Sequence, residues 1–473
     1  MITGVTTGDV DLTAPPWQKE GEVVRYGLGF PFQVAPRIAA LIVDAHIEQT
    51  PIYGFQNGSD VILFDDLDTI SADKAVPIRR NAYSIDAATG GNFIHLQSSV
   101  IAGFVPLGAR GDDGSAHPHA GTGFGLGQAH RMPADESGGF AWRDEKRRDL
   151  LEVFQFSFDG RIFCSRKSDE GTQDSSSPLR IGESGWSIIS HGLTSAIPDG
   201  DDLLLTVLAR KGDVPACGVA RWSRQDGFWR PISFQSVVGE ESVTSQANYA
   251  ENCQWMEPSL IRDIDGSLLF SARGQDSGRS RENVELGKLI RIWRSTDGGS
   301  RWDVVVDVPG VRQFAPVTIN QAPDGTPYVV STPFDLAFVF KMSLDADVAT
   351  VRKRGRGREI LSVWPLNEER TGLLSPMIIR DAEAEFGKRP SHPEWYDGWM
   401  VDHASASTVR LADGAWHNVL VYRCLHSALY HSLGRYPASQ TGCYLEEVMS
   451  QGEARGMWNF GESSGDESRM TSQ

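Results

Sequence analysis

Four strand-like segments end on arginine: Arg166 in FSFDGRIFCSR, Arg210 in AIPDGDDLLLTVLAR, Arg273 in IRDIDGSLLFSAR and Arg423 in VRLADGAWHNVLVYR. One residue type at the same place in a repeating unit can gather guanidinium groups into a cluster. Such a cluster binds carboxylates through paired N–H donors. The alternative is that each Arg sits in its own surface salt bridge. A second set is histidine: His117, His119 and His130 in SAHPHAGTGFGLGQAH, His191 in SHGLTSAIP and His403 in MVDHASAS. H-x-H with a more distant His can hold zinc through neutral imidazoles. The same groups can instead work with a Tyr as acid and base, removing the proton α to a uronate carboxylate that an Arg neutralises. The third reading is a polar surface loop whose histidines have no role.

The glycines at 121, 123, 125 and 127 are not followed by a Lys-Ser/Thr pair, which argues against a phosphate loop. There is no G-x-S-x-G nucleophile elbow. The five cysteines, Cys164, Cys217, Cys253, Cys424 and Cys443, have no C-x-x-C spacing and read as core thiols.

Short apolar segments must position these residues. DVILF (60–64), LEVFQFSF (151–158), DLLLTVLA (202–209), SLLFSA (267–272), DVVVDV (303–308) and WHNVLVYR (416–423) are strands by composition, bounded by Gly, Asp and Pro. The best candidate for an amphipathic helix is PRIAALIVDAHIEQ (36–49), and a turn or two of helix fits within 368–387. A strand, an Asp-Gly pair and a second strand recur five times, with the pairs starting at 159, 199, 265, 324 and 413. Their intervals of 40, 66, 59 and 89 suit four-stranded propeller blades carrying insertions. Five such units plus the N-terminal region predict an all-β chain with a six-bladed β-propeller, and the spacing also admits seven blades.

The expected organisation is an N-terminal region, 1–150, holding the first blade or blades and an irregular extension. Propeller blades follow over 151–450, and a polar, disordered tail over 451–473. Within the blades, STDGGSRW (295–302) reads as a self-contained turn of an outer hairpin. Ser295 and Asp297 can bond its backbone, Gly298 and Gly299 tolerate positive φ, and Trp302 re-enters the next strand as an apolar plug.

Of the 473 residues 40% are hydrophobic and 23% charged, as in ordinary globular proteins. A formal net charge of −17 argues against nucleic acid or an anionic membrane as partner. No segment reaches the roughly 18 apolar residues of a membrane helix. The start, MITGVTTGDVDLTAPPWQKEG, lacks a signal-peptide layout, so the expected location is cytoplasmic, or secreted if a leader has been trimmed.

STDGGSRW resembles the Asp-box of the BNR repeat, S-x-D-x-G-x-T/S-W, and WSRQDGFW (222–229) is similar to a worn copy. MEPSLIRDIDGSLLFSARG (256–274) and DGDDLLLTVLARKGDVPACGVARWS (199–223) resemble consecutive blades of the sialidase-like (neuraminidase-type) propeller family. The likeness covers 196–335 well and 398–448 loosely. It implies a six-bladed propeller with a carbohydrate site at one mouth of the axis, and a hydrolase in which arginines clamp the substrate carboxylate. A Tyr assisted by a Glu is then the nucleophile, and an Asp is the acid/base; the Tyr is an exception to the two-carboxylate rule of glycosidases. A phenol of pKa about 10 needs such a carboxylate to take its proton.

Carried onto this chain, the resemblance implies Glu257 as the assisting Glu, Asp213 as the acid/base and Tyr444 (with Glu446 or Glu447) as nucleophile, with Tyr422 and Tyr430 as the other tyrosines to weigh. It also implies Arg273 and Arg423 as clamps. Arg210, His191 and His403 join the substrate-binding set. The family's F-R-I-P element and its final tyrosine motif are not found.

The expected activity is a sialidase-like glycoside hydrolase on a carbohydrate bearing a carboxylate, sialic or uronic acid. A polysaccharide lyase and a non-catalytic carbohydrate-binding propeller are the alternatives. No cofactor is expected; if a metal is held, His117, His119 and His130 are its ligands.

Overall fold

The computed structural model describes residues 1–8, 24–47, 58–80, 93–133, 148–168, 179–212, 214–239, 255–274, 290–308, 316–331, 360–386, 399–426 and 442–461. They form six antiparallel sheets around one axis, a six-bladed β-propeller. Blade 1 runs Val24–Ala35, Ile38–Ile47, Gly58–Phe64 and Val76–Arg80 from the axis outward; blade 2 runs Phe93–Val105, Thr122–Pro133, Arg148–Phe158 and Phe163–Lys167. In blade 3 the inner strand is broken into Ser187–His191 and Ile197–Asp199. Both halves pair with Asp202–Lys211, which Val214–Gln225 and Phe228–Val238 follow. Blade 4 holds Trp255–Arg262, Leu268–Gly274, Ile290–Ser295 and Asp303–Val308, and blade 5 holds Thr318–Gln321, Pro327–Ser331, Ile360–Pro365 and Met377–Asp381. Blade 6 takes Trp399–Arg410, Trp416–His426 and Gly442–Ser450 from the C-terminal part of the chain, and its outermost strand, Ile2–Gly8, from the N-terminal part. That shared blade closes the ring.

Each sheet is covered on both faces by its neighbours, so its strands are continuously apolar instead of alternating. In the second strand of blade 3, Leu203, Leu205 and Val207 pack with Ile101 and Phe124 of blade 2, while Leu204 and Leu208 pack with Leu260 and Phe270 of blade 4. The same double burial corrects the helix expected over 36–49. Ile38–Ile47 is a strand whose Ala39, Leu41 and Val43 face blade 6 and whose Ala40 and Ile42 face blade 2. A strand filled on both faces offers apolar residues at helical spacings as well. A short helix, Ala382–Phe386, does form within 368–387.

Near the axis, single polar side chains tie inner strands to their neighbours at four of the six seams. The Thr194 hydroxyl of blade 3 accepts from Leu260 N–H, Ser259 of blade 4 from Ile319 N–H, and Asn320 Oδ1 of blade 5 from Ala406 N–H. Gln33 of blade 1 accepts from Arg410 N–H and donates to Arg410 C=O, sealing blades 1 and 6. Such bonds satisfy buried backbone groups that no sheet partner reaches.

The Asp-Gly pairs have one design in blades 4, 5 and 6, where they link the two inner strands. Gly266, Gly325 and Gly414 have φ of 84°, 84° and 82°, and the preceding Asp accepts from the N–H two residues on. Asp113-Gly114 in blade 2 repeats this turn, a unit the spacing did not show. Asp159-Gly160 instead joins the two outer strands of blade 2, which leaves Arg166 on the outermost strand, away from the axis. STDGGSRW is the turn of the outer hairpin of blade 4. Ser295 Oγ accepts from Gly299 N–H and donates to Asp297, Asp297 accepts from Arg301 N–H, and the Trp302 indole donates to Gly299 C=O.

The domain boundary expected at 150/151 falls inside the strand Arg148–Phe158. The tail expected to be disordered is a packed strap over 451–461; residues 462–473 lie outside the described residues. Arg455 N–H bonds Pro323 C=O in blade 5, Phe460 stacks on Trp416 in blade 6, and Arg110 N–H of blade 2 bonds Asn459 C=O. Trp458 is buried in the core of blades 2 and 3.

Candidate active site

The inner strands of blades 4 and 6 carry the same β-bulge. Met256 pairs with Arg273 and Ser259 with Ser271, so Glu257 and Pro258 together oppose Ala272. Asp402 pairs with Arg423 and Ser405 with Val421, so His403 and Ala404 together oppose Tyr422. The first extra residue of each bulge is forced to positive φ, 51° at Glu257 and 54° at His403. Bulges re-aim side chains and are common beside active sites. Backbone strain at a side-chain-bearing residue costs on the order of 1–3 kcal/mol and is a pointer to function.

Here the two re-aimed side chains meet. Glu257 Oε2 accepts from Arg273 Nη1 at 2.9 Å, and Glu257 Oε1 lies 3.4 Å from His403 Nε2. His403 Nδ1 is 2.7 Å from Asp402 Oδ1, which also accepts from Arg423 Nε at 2.6 Å. Arg273, Glu257, His403, Asp402 and Arg423 form one chain of contacts across blades that are not sequence neighbours. Burial disfavours a charged Glu257, but Arg273 and His403 outweigh it and hold the carboxyl well below the ordinary glutamate range. Glu257 is 21% exposed and Asp402 is fully buried, so the first can meet a ligand and the second supports from behind.

The three expected arginines lie on one end of the axis. Arg210, Arg273 and Arg423 all sit near the ends of second strands, opposite Ser187, Met256 and Asp402. Alternation turns each toward the following blade. Arg423 is buried and bound to Asp402, which makes it a support of the site more than a surface clamp. His191 is buried in the inner strand of blade 3, edge-on to Phe30 and bonded to Gly192 C=O. Asp213 lies outside the described residues, between Gly212 and Val214.

Tyr444 is placed elsewhere. It belongs to the third strand of blade 6, stacks on Tyr422 at 5.8 Å, and lies under the Arg380 guanidinium at 4.3 Å. A Tyr/Glu pair does form, but it is Tyr422 donating to Glu446 at 2.7 Å, with Arg380 Nε donating to the same phenol. Both residues are fully buried, and burial with the neighbouring Glu446 charge pushes the phenol far up. This seam joins the outer strand of blade 5 to blade 6, and Tyr444 lies within it. Tyr430 lies outside the described residues.

The histidine loop is at the opposite end of the axis. His117 Nε2 is 3.2 Å from Gly200 C=O in the neighbouring turn, and its ring meets Trp458 of the strap; His119 packs edge-on to Trp229. His130 is on the second strand of blade 2, its backbone paired with Leu96 and Asp149. Among the described residues no three His, Cys, Asp or Glu side chains converge as a metal site would require. The glycines after His119 serve packing. A Cβ on Gly123 would lie 2.3 Å from Gly103 O, and one on Gly125 2.4 Å from Phe156.

No family model matches the sequence, and no curated protein does. Solved structures similar to it include a protein of unknown function from Dyadobacter fermentans, 12% identical with a TM-score of 0.51 over 95% of this chain and 100% of that one. Others are Trypanosoma rangeli sialidase in complex with 2,3-difluorosialic acid (11%, TM-score 0.45, 94% of this chain and 58% of that one) and Penicillium chrysogenum α-L-arabinanase complexed with arabinobiose (10%, TM-score 0.42, 94% and 98%). At these identities the first likeness is one of fold. No helix among the described residues is long and apolar enough to cross a membrane.

Two features of this site, Asp402 and the bulge itself, had no signal in the sequence. Asp402 stands beside His403, but the register that binds it to Arg423 comes from pairing two long strands.

Proposed function

We propose that this protein is a propeller-type glycoside hydrolase whose active site is the end of the axis where Glu257 and His403 meet. The observation that supports it most is Glu257: a carboxylate in strained left-handed backbone, kept ionised by Arg273 and His403 and partly open to ligand. An ionised carboxylate there can stabilise the positive charge of an oxocarbenium-like transition state or take a proton from the attacking group. In this reading Asp213 remains the acid/base of the resemblance, and an acidic sugar is the substrate class. Arg210 and Arg273 supply positive charge at this end, against the overall acidity of the chain.

The test is a panel of neutral and acidic glycosides incubated with wild type and Glu257→Gln, following reducing-end release. Glu257→Gln should lower kcat/KM about 100-fold or more. If the wild type cleaves none of them but binds one by calorimetry, the chain is a carbohydrate-binding propeller. A lyase is the second reading, favoured by the Asp402–His403 contact, which orients an imidazole as a base is oriented. Rising ultraviolet absorbance from an unsaturated uronate would select it.

A further inference from the structure

Glu257 is faced from two elements. Arg273 reaches it from the adjacent strand of its own blade, and His403 from the inner strand of blade 6. His403 in turn faces Asp402 from its own strand, with Arg423 behind that carboxylate. The bulge at His403 recurs at the matching place in the inner strands of blades 1, 2 and 4, so the fold supplies the bulge and the sequence supplies the imidazole. Its effect is to turn one imidazole toward blade 4, where a second bulge turns Glu257 to meet it.

We infer that Asp402 and His403 are a positioning pair for Glu257: Asp402, anchored by Arg423, fixes the His403 ring so that Nε2 faces the Glu257 carboxylate and orients it. This rests on Glu257 being the working carboxylate. His403 is then not the group that meets the substrate, and its loss acts through Glu257. A merely structural bulge would leave the titration of Glu257 where it was.

The experiment uses the full chain as wild type, His403→Gln and Asp402→Asn, with two readouts. The first is the carboxyl ¹³C resonance of Glu257, identified by its absence in Glu257→Gln. In wild type it should keep the carboxylate position to the lowest pH at which the fold persists. In the variants it should titrate at a pH about one unit higher or more. The second is the acid limb of kcat/KM on any glycoside cleaved, which should move upward in parallel, with kcat falling more than KM changes.

Asp402→Asn weakens the pairing of buried Arg423 and can unfold the chain. His403→Gln strands no buried charge, and circular dichroism confirms that it is folded before it is scored. An unmoved Glu257 resonance in folded His403→Gln overturns the inference. A moved resonance in a protein that cleaves no glycoside upholds the positioning pair and overturns the hydrolase reading alone.

Discussion

The two ends of the propeller axis are built from the same strands and do opposite things with their polar groups. At the turn end, the inner hairpins of blades 2, 4, 5 and 6 close on an Asp-Gly turn whose carboxylate accepts from its own backbone, and the strap over 451–461 crosses from blade 5 to blade 2. A cavity of about 300 Å³ lies beneath it, among Thr194, Leu260, Gln321, Thr408 and Arg455. At the Glu257 end, a bulge near the start of the inner strand recurs in blades 1, 2, 4 and 6, and those of blades 4 and 6 send Glu257 and His403 across the axis toward each other. Repetition serves stability at one end; at the other the repeated bulge begins with Gly27 and Ser98 in blades 1 and 2 and with Glu257 and His403 in blades 4 and 6. A propeller can thus vary its chemistry without disturbing the closure of its ring.

The sharpest break of this contrast is functional. Glu257→Gln at one end should cost about 100-fold or more in kcat/KM, whereas His117→Gln at the other should leave it within about twofold. Equal losses would mean that the ends are not distinct. The next largest effect concerns the strap. Trp458→Ala removes an aromatic side chain 8% exposed in the core of blades 2 and 3, and should destabilise the fold by about 3–5 kcal/mol in denaturant titration. Activity below the new melting transition should be unaffected.

A third substitution couples packing to the site. A Cβ on Gly192 would lie 2.0 Å from Thr206 Oγ1 and 2.3 Å from the carbonyl of Pro258, the residue after Glu257. Gly192→Ala should cost about 1–3 kcal/mol and also lower kcat, because the bulge that aims Glu257 must shift. Unchanged kcat in a folded variant would show that the bulge tolerates displacement.

The smallest effect is electrostatic and lies at the turn end of blade 6. His417 bonds Glu447 at 2.8 Å and Asp413 at 3.0 Å, and these carboxylates raise its pKa. A raised folded-state pKa stabilises the fold fully below the unfolded value of about 6.5, and that gain is lost as pH rises through the folded value. Wild type should therefore exceed His417→Gln by about 1 kcal/mol or less in the acidic range, with the gap closing on the alkaline side. A gap that widens with pH would contradict the ion pairs.

Much of the fold was legible before any coordinates. Apolar runs cut by Asp-Gly and Gly-Gly turns specify short strands and their hairpins locally, and Ser295, Asp297 and Trp302 bond within their own turn. The site was legible in pieces. Glu257, Arg273, Arg423 and His403 stood out singly, yet nothing in their spacing says that Glu257 touches His403. Tyr444 shows the opposite failure: its neighbourhood with Glu446 in sequence looked like chemistry, and strand alternation put it in a seam beneath Arg380. Likewise 36–49 carries a helical pattern only because both faces of its strand are buried.

What the sequence determined by itself was local: turn geometry, strand composition, and the recurrence of arginine at second-strand ends. Those depend on residues a few positions apart, whose backbone choices and hydrogen bonds close on themselves. The tertiary structure alone decided at which end of the axis Glu257 and His403 meet, which bulges face each other, and that the strap docks. Those contacts exist only once six blades have closed into a ring, since closure sets the distance between blades 4 and 6 and no local spacing encodes it.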